Sequence, residues 1–267
     1  GRWIPSPSQD LVALVTGVVA LGFFVDFLFA WRGRTGLAAG ALAAAAVSGS
    51  VRPLGWALLL GIFAVMAFWG RFKSTSTASY WRSVRKLLPI VGLAGAVVLV
   101  SLVRDVVTSG WALFPLALFP VPVDWLAPEP SLTSASITWW GRAPGLSIQE
   151  AQSINWFEPW LSSFLQSREF KFAFAAAVVS LFPLLWSSGR NAWRHSWARI
   201  LLALLPVVFV GLAWFLTAPD VRFGWTPLFA LGAVPLSFVL AQGAYPRAVY
   251  KTIFFVVVAV GFLTEWR

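Results

Sequence analysis

Three arginines, Arg104, Arg142 and Arg222, could together hold a phosphate group if the fold brings them to one face. A guanidinium presents a planar fork of donors that suits two phosphate oxygens at once. A second interpretation of Arg222 stays open, because Asp220 precedes it in the same turn and the two could form a local clasp, with the carboxylate capping the helix that follows. The chain has one histidine, His195, and no cysteine. A metal site built from imidazole or thiolate ligands is therefore not expected, and no cofactor is predicted.

The chain segments expected to hold these side chains in place are strongly apolar. The 267 residues are 59% hydrophobic and 11% charged, with a mean hydropathy of +0.78, whereas soluble domains carry about 25% charged residues. Apolar runs near the length of a bilayer span recur along the chain. We therefore predict one all-α domain over residues 1–267, a polytopic transmembrane helical bundle of about eight spans.

The predicted spans are separated by short polar or basic stretches. They cover about residues 10–31, 36–51, 54–70, 87–103, 172–186, 200–216, 226–240 and 252–263. The second is short and rich in alanine and glycine, which allows neighbouring helix backbones to approach closely. Prolines inside three later spans, at 183, 206 and 235, are expected to kink helices and not to end them.

The basic residues orient the predicted bundle. Twelve of the twenty fall in loops on one side that hold no acidic residue, and nine of the ten acids fall on the other side. This segregation predicts a multi-pass protein of the bacterial inner membrane with its N-terminus outside. The remaining acid, Asp26, lies inside the first span, where an ion pair with Arg32 is one interpretation and a proton-coupling role another. Because the basic residues lie between apolar spans, the charge of +10 does not indicate a nucleic-acid partner.

Residues 104–171 form the longest segment between predicted spans and are expected outside the membrane. They contain six of the seventeen tryptophans and six of the ten acidic residues. Six prolines between residues 110 and 145 exclude a continuous helix there. The apolar, proline-rich part could be a cap over the bundle or one wall of a substrate site.

The later part of this segment is expected to form short interfacial helices. Ser147 and Glu150 have the spacing of a capping box, in which each side chain satisfies the backbone N–H of the other residue. Trp156, Trp160 and Phe164 would lie along the membrane interface, where indole rings are favoured, and they are interpreted as anchors.

Three stretches resemble segments of bacterial GT-C-type membrane glycosyltransferase-like proteins, which use polyprenyl-phosphate-linked sugars. They read VTSGWALFPLALFPVPVDWLAPEP, ITWWGRAPG and WFLTAPDVRFGW, and the likeness extends over about residues 36–240. The matching elements are Gly110–Pro115, Val123–Trp125, Trp140–Gly145 and Thr217–Phe223. Val221 stands where the resemblance predicts proline.

The resemblance implies transfer of a sugar from a polyprenyl-phosphate carrier on the outer face. Arg142, Asp220 and Arg222 would then bind the carrier phosphate or the sugar, and Trp140 would stack on an apolar sugar face. Asp124, in the matching VDW element, joins them and Arg104 as a candidate substrate-binding residue. The expected outer loop with an acidic catalytic residue is not found before these elements, so the chain could be the C-terminal portion of a transferase or a homologue with another task, and no catalytic residue is named.

The alternative function is a non-catalytic integral-membrane subunit of a larger complex. Many tryptophans and small-residue helices would then serve packing against other membrane subunits and lipid anchoring. The scarcity of polar residues inside the spans makes a transporter or channel the third choice.

Overall fold

The computed structural model describes residues 9–30, 35–73, 77–114, 118–143, 146–167, 170–171, 174–175, 178, 187–217, 219–220 and 224–241. Within these ranges every regular element is a helix, and the only extended pairing is an isolated antiparallel bridge between Trp111 and Pro120. The all-α prediction is confirmed. Residues 179–186 and 242–267, which include most of the fifth predicted span and all of the eighth, lie outside the described residues.

Nine helices are described, and we number them in chain order. They are α1 (Gln9–Ala30), α2 (Thr35–Val51), α3 (Leu54–Lys73), α4 (Thr77–Ser109), α5 (Pro130–Arg142), α6 (Ile148–Ser153), α7 (Phe157–Gln166), α8 (Ser187–Thr217) and α9 (Trp225–Ala241). Six of them correspond to predicted spans. The other three, α5 to α7, belong to the segment between spans.

The core lies where α1, α2 and α3 meet α8 and α9. Helix α2 presents small side chains on its buried face, including Ala38, Ala41 and Ala45, which are fully buried. Large side chains from neighbouring helices fill the space beside them, as Phe24 of α1 does. Small residues on one helix and large ones on the next allow the backbones to come close without voids.

Among the residues that the structure describes, two helices contain stretches long and apolar enough to cross a membrane, Leu88–Ser109 in α4 and Trp197–Thr217 in α8. Shorter apolar helical stretches are Val12–Leu28, Thr35–Val51 and Leu54–Trp69. Length and composition are thus compatible with membrane association. Pro206 and Pro235 lie inside α8 and α9, which continue through them as expected.

Two predicted loops are partly helical. The basic stretch 71–86 was predicted as a loop, but α3 runs to Lys73 and α4 begins at Thr77. Its charged residues are compatible with helix, so their polarity did not mark a break. The proline-rich stretch before residue 145 contains α5, which begins at Pro130. Proline is tolerated in the first helical turn because its missing N–H would have no intrahelical acceptor there.

Three helices meet at one end of the bundle through hydrogen bonds. The Ser48 hydroxyl near the end of α2 donates to the carbonyl of Ala13 near the start of α1, at 3.0 Å. The Arg104 guanidinium near the end of α4 donates to the carbonyl of Ser50. These contacts align the start of α1 with the ends of α2 and α4.

The end of α8 and the start of α9 lie at the same end of the bundle. A Cβ built on Gly224 would lie 2.7 Å from the indole of Trp214 in α8, and one built on Gly17 of α1 would lie 2.8 Å from the Thr226 methyl group of α9. We call this end of the bundle the site end. It is where α1 and α9 begin and where α2, α4 and α8 end.

Candidate functional site

A capping box begins α6. Ser147 is the N-cap: its hydroxyl accepts from the Glu150 N–H at 3.3 Å, and its own N–H donates to the Glu150 carboxylate at 2.9 Å. The Ser147 hydroxyl also donates to that carboxylate at 2.7 Å. Hydrogen bonds from the Ser147 side chain and then its backbone lower the pKa of Glu150 below its ordinary value of 4.5. The capping-box prediction is confirmed, and α6 ends at Ser153.

Helix α7 carries a stripe of aromatic rings on one face. Trp156, Trp160 and Phe164 are four residues apart, which places successive side chains one above another on a helix. The Trp160 and Phe164 rings stack with centroids 5.1 Å apart and an interplanar angle of 11°. The stripe packs against the end of α8, where the Phe215 ring lies 5.3 Å from that of Trp160.

Two indole N–H groups fix the chain that follows α8. Trp160 Nε1 donates to the carbonyl of Pro219 at 2.6 Å, and Trp214 Nε1 donates to the carbonyl of Asp220 at 2.6 Å. Pro219 is fully buried between these rings and the helix end. Consecutive backbone carbonyls thus hold Asp220 at a defined distance from α7.

Arg142, the last residue of α5, lies between two tryptophans. Its guanidinium carbon is 5.2 Å from the ring centroid of Trp139 and 4.8 Å from that of Trp156. Cation–π contacts of this kind contribute about 0.5–2 kcal/mol. One terminal nitrogen donates over 3.4 Å to the carbonyl of Leu216, while the buried Nε–H has no acceptor among the described residues. The donors of this cation are therefore not saturated by the part of the protein that the structure describes.

A cavity of about 310 Å³ lies between α5, α7 and the chain after α8. Its walls are mainly apolar. They are formed by Gly141, Arg142, Ala143, Leu146, Ile154, Pro159, Trp160, Ser163, Phe164, Pro219 and Asp220. One cation, one acid and one serine thus line a space otherwise bounded mainly by rings and aliphatic groups. This composition is typical of sites that bind a ligand through its apolar surface and orient it by a few polar groups.

Of the predicted site residues, Arg142 and Asp220 line this cavity together. Trp140 lines a neighbouring cavity of about 440 Å³, which shares Leu146 with the first. Arg222 lies outside the described residues.

Arg104 and Asp124 lie elsewhere. Arg104 donates to the Asp105 carboxylate at 2.7 Å as well as to the carbonyl of Ser50, and it does not line either cavity. Asp124 is exposed in a turn closed by the Leu126 N–H and the carbonyl of Val123. Arg104 therefore does not join Arg142 at the wall of either cavity.

The cavity includes residues that the sequence did not single out as binding residues. Trp160 and Phe164 were interpreted as interfacial anchors, yet both are half-buried and line the cavity. Pro219, which receives the Trp160 hydrogen bond, was read only as part of a turn. The four-residue spacing of the α7 rings was the available signal, because it predicts a single aromatic face that needs a partner.

No group of three or more metal-ligating side chains occurs among the described residues. The charged groups of the cavity are one guanidinium and one carboxyl group. A divalent cation needs several oxygen, nitrogen or sulfur ligands from the protein. The part of the chain that the structure describes offers no such set.

A family model described as a domain of unknown function (DUF8201) matches residues 2–229. The chain belongs to the DUF8201 family. The matched region of the DUF8201 domain includes α1 to α8, the start of α9 and every residue that lines the cavity. No curated protein and no solved structure matches the chain.

Proposed function

We propose that this DUF8201 protein is a membrane glycosyltransferase-like protein that takes a sugar from a polyprenyl-phosphate carrier. The environment of Arg142 is the observation that most supports this proposal. Arg142 is held between two indoles at the wall of a largely apolar cavity, with one weak hydrogen bond and a buried Nε–H that lacks an acceptor among the described residues. A buried donor without a partner is unfavourable by about 1–3 kcal/mol, and a phosphate oxygen would remove that penalty.

The other cavity residues fit a ligand that joins a phosphate to apolar groups. The rings of Trp160 and Phe164 line the cavity and would contact a sugar or the first isoprene units. Asp220 lines the same cavity, where a carboxylate accepts hydrogen bonds from sugar hydroxyls. Trp140, in the neighbouring cavity, would stack on a sugar ring. Arg104 and Asp124 remain candidates for contacts outside the cavity, and Arg222 remains a candidate for binding the phosphate or the sugar.

In the transfer itself, the bond between the sugar anomeric carbon and the carrier phosphate oxygen would break. A bond from an acceptor oxygen to that carbon would form, the acceptor proton would pass to a base, and the polyprenyl phosphate would leave. Arg142 would stabilise the negative charge that grows on the leaving phosphate. We do not assign the base to a described residue.

We also propose the arrangement in the membrane: eight spans in the bacterial inner membrane, with the N-terminus and the site end outside. The direction of the helices supports this arrangement, because α1 and α9 begin at the site end whereas α2, α4 and α8 end there. The basic residues Arg85 and Arg199 lie near the other ends of the apolar stretches of α4 and α8. A lipid-linked donor would then reach the cavity from the outer leaflet.

The binding step can be tested with polyprenyl phosphate itself. The protein would be purified in nanodiscs, and retention of polyprenyl phosphate would be measured by native mass spectrometry, with uncharged polyprenol as the control lipid. We expect the phosphate to bind more tightly than the alcohol. Arg142→Ala should weaken phosphate binding about 10-fold or more, since a hydrogen bond to a charged group contributes about 1.5–3 kcal/mol.

Two further variants make the result specific. Arg142→Lys keeps the charge but loses the planar fork, so intermediate binding is expected. Arg85→Ala removes an exposed arginine near the opposite end and should bind like the wild type. Equal binding of polyprenyl phosphate and polyprenol, or equal binding by wild type and Arg142→Ala, would contradict the proposal.

The second candidate is a non-catalytic subunit of a membrane complex, and one observation favours it. Only 11% of an 18-residue window in the apolar stretch Leu88–Ser109 of α4 is buried, and exposed side chains such as Leu93 and Val100 are covered by nothing else that the structure describes. Co-purification of a stoichiometric partner that crosslinks to Leu93 or Val100, together with absent phosphate-specific binding, would favour the subunit over the transferase.

A further inference from the structure

The loop that follows α4 folds back on itself at the site end. The N–H of Ala112 donates to the carbonyl of Phe119 at 3.2 Å, and the N–H of Val121 donates to the carbonyl of Gly110 at 2.9 Å. Its return is tied to the end of α4 by the N–H of Ala127, which donates to the carbonyl of Ser109 at 2.7 Å. We call residues 110–114 and 118–127 the bridged loop.

The start of the bridged loop depends on a glycine. Gly110 has φ +78°, in the left-handed region that side chains disfavour, and a Cβ there would lie 2.9 Å from the Cα of Leu126. The Trp111 indole crosses the base of the loop and donates to the carbonyl of Ala127 at 2.9 Å. Backbone and indole hydrogen bonds therefore hold the two arms of the loop together at their base.

The far part of the bridged loop presents large apolar side chains outward. Leu118 is 48% exposed, Phe119 is 67% exposed and Trp125 is 56% exposed. The sequence from residue 110 to residue 123 contains no charged residue. Phe119 has φ 58°, an uncommon conformation for an aromatic residue, and the ring is nevertheless left outside the protein. A contiguous exposed apolar surface of this kind marks an interaction site.

The exposed apolar surface of the bridged loop continues the exposed apolar surface of α4. Val103 and Val107 of α4 are 54% and 62% exposed. The Trp125 indole donates to the carbonyl of Val106 at 3.3 Å, which brings its ring back beside the last turns of the helix. The exposed side of the loop is thus an extension of the exposed side of a helix that has the length and hydropathy of a membrane span.

The charges of α4 indicate how deep the loop would lie. Arg104 and Asp105, which pair with each other, occupy the same turns as Val103 and Val106. An arginine at this position extends toward the headgroup region of a bilayer. Trp125 is at the same level, and indole rings prefer that region.

We propose that the bridged loop binds the surface of the lipid bilayer at the site end, with Phe119 and Trp125 inserted at the level of the headgroups and the uppermost acyl carbons. A lipid surface fits better than a protein partner because residues 118–123 are uncharged, an interfacial tryptophan follows at position 125, and both continue the exposed side of the membrane-length helix. The exposed Asp124 carboxylate, beside Trp125, would lie among the headgroups. The loop would hold the site end against the leaflet, beside the cavity. This inference requires α4 in a membrane but not sugar transfer.

The chain has no cysteine, so single cysteines can be placed without removing any native thiol. Phe119→Cys and Trp125→Cys would carry a nitroxide label in full-length protein reconstituted into vesicles of phosphatidylcholine and phosphatidylglycerol. Leu99→Cys, on the exposed apolar face of α4, gives the deep reference. Gln149→Cys, exposed on α6, gives the aqueous reference. Accessibility of each label to oxygen and to a polar nickel complex then gives its depth.

We expect the Phe119 and Trp125 labels to lie between the two references, with a higher ratio of oxygen to nickel accessibility than Gln149. Because cysteine at Phe119 keeps the unusual backbone angle, Leu118→Cys serves as a second label if that variant does not fold. Labels as accessible to nickel as Gln149 would overturn the proposal. So would spin–spin broadening that disappears when labelled protein is diluted with unlabelled protein, because a second copy would then cover the loop. If polyprenyl phosphate fails to bind while the labels lie in the bilayer, the proposed function fails and this inference stands.

Discussion

The small-residue core and the aromatic cluster at the site end are held together in opposite ways. In the core, α2 lets its neighbours approach through alanine and glycine, and backbone atoms lie almost in contact. In the cluster, α7 has no buried residue and is held through wide rings and two indole hydrogen bonds. The scaffold is therefore fixed by the close approach of helix backbones, which tolerates little change in side-chain size. The candidate site is fixed by side chains, which can adjust to a ligand.

The largest expected effect comes from adding one methyl group where the start of α3 packs against the end of α2. A Cβ on Gly55 would overlap the backbone nitrogen of Gly49 and the backbone carbonyl carbon of Ser48, and backbone cannot rotate away. Gly55→Ala should lower the free energy of unfolding by about 3 kcal/mol or more, measured by denaturant titration in detergent micelles.

Gly95→Ala is the matched control, because nothing lies within 4 Å of the added Cβ in the middle of α4. Its free energy of unfolding should stay the same or rise by about 0.5–1 kcal/mol, since alanine restricts the unfolded chain and favours helix. Equal stability of the Gly55 and Gly95 variants would refute the view that backbone proximity fixes the core.

A smaller and local effect is expected from Trp160→Ala. The variant removes the ring that contacts Phe164 and Phe215 and the hydrogen bond to Pro219. We expect the site end to loosen by about 2 kcal/mol, less than for a fully buried tryptophan because this one is half-buried. Hydrogen exchange should accelerate in α7 and at the end of α8 while α1 to α3 keep their protection. Acceleration across α2 would instead mean that the two regions unfold as one unit.

Trp160→Phe separates the ring from its hydrogen bond. A phenyl group keeps most of the stacking but leaves the carbonyl of Pro219 without the indole donor. Exchange at the site end should correspond to a loss of about 1 kcal/mol, roughly half the effect of alanine. If the phenylalanine and alanine variants exchange alike, the hydrogen bond and not the stacking of rings holds α7.

The smallest effect is expected from pH at the capping box of α6. Hydrogen bonds from Ser147 lower the pKa of Glu150 in the folded protein, so the ionised carboxylate stabilises the start of the helix. This contribution is complete above the ordinary pKa of 4.5 and is lost as pH falls through the lower folded value. Amide exchange in α6, corrected for intrinsic rates, should accelerate below pH 4.5 in the wild type and show no such pH step in Glu150→Gln.

The sequence predicted the helices well where one physical signal dominated. Apolar length located the six span-like helices, and the spacing of Ser147 and Glu150 located the start of α6. The prediction was less successful at residues 71–86, where polar side chains were taken to mark a loop between helices. Basic residues are compatible with helix, so their polarity does not end one. The prediction also treated the stretch around Pro130 as loop, although proline is favourable in a first turn.

The candidate site was predicted only in part. Arg142 and Asp220 were joined in one predicted site only through the resemblance to GT-C-type proteins, and the packing of α5 and α7 against the end of α8 brings them to one cavity. Nothing local in the chain encodes that approach. Arg104 was chosen for its charge, yet it pairs with its neighbour Asp105. Charge in a sequence identifies which residues could bind an anion, whereas tertiary packing decides which of them line a cavity.

Pro206 gives the cavity a mechanical connection to the middle of the bundle. It lies within α8 against Gly61 of α3, where a Cβ on the glycine would be 2.9 Å from the proline Cα, and it has no N–H to complete the helical ladder. The part of α8 beyond this point ends at Thr217 and leads into Pro219 and Asp220, the cavity wall. Any bend of α8 at Pro206 would displace the last turns of the helix together with Pro219 and Asp220, so the width of the cavity depends on the straightness of this helix.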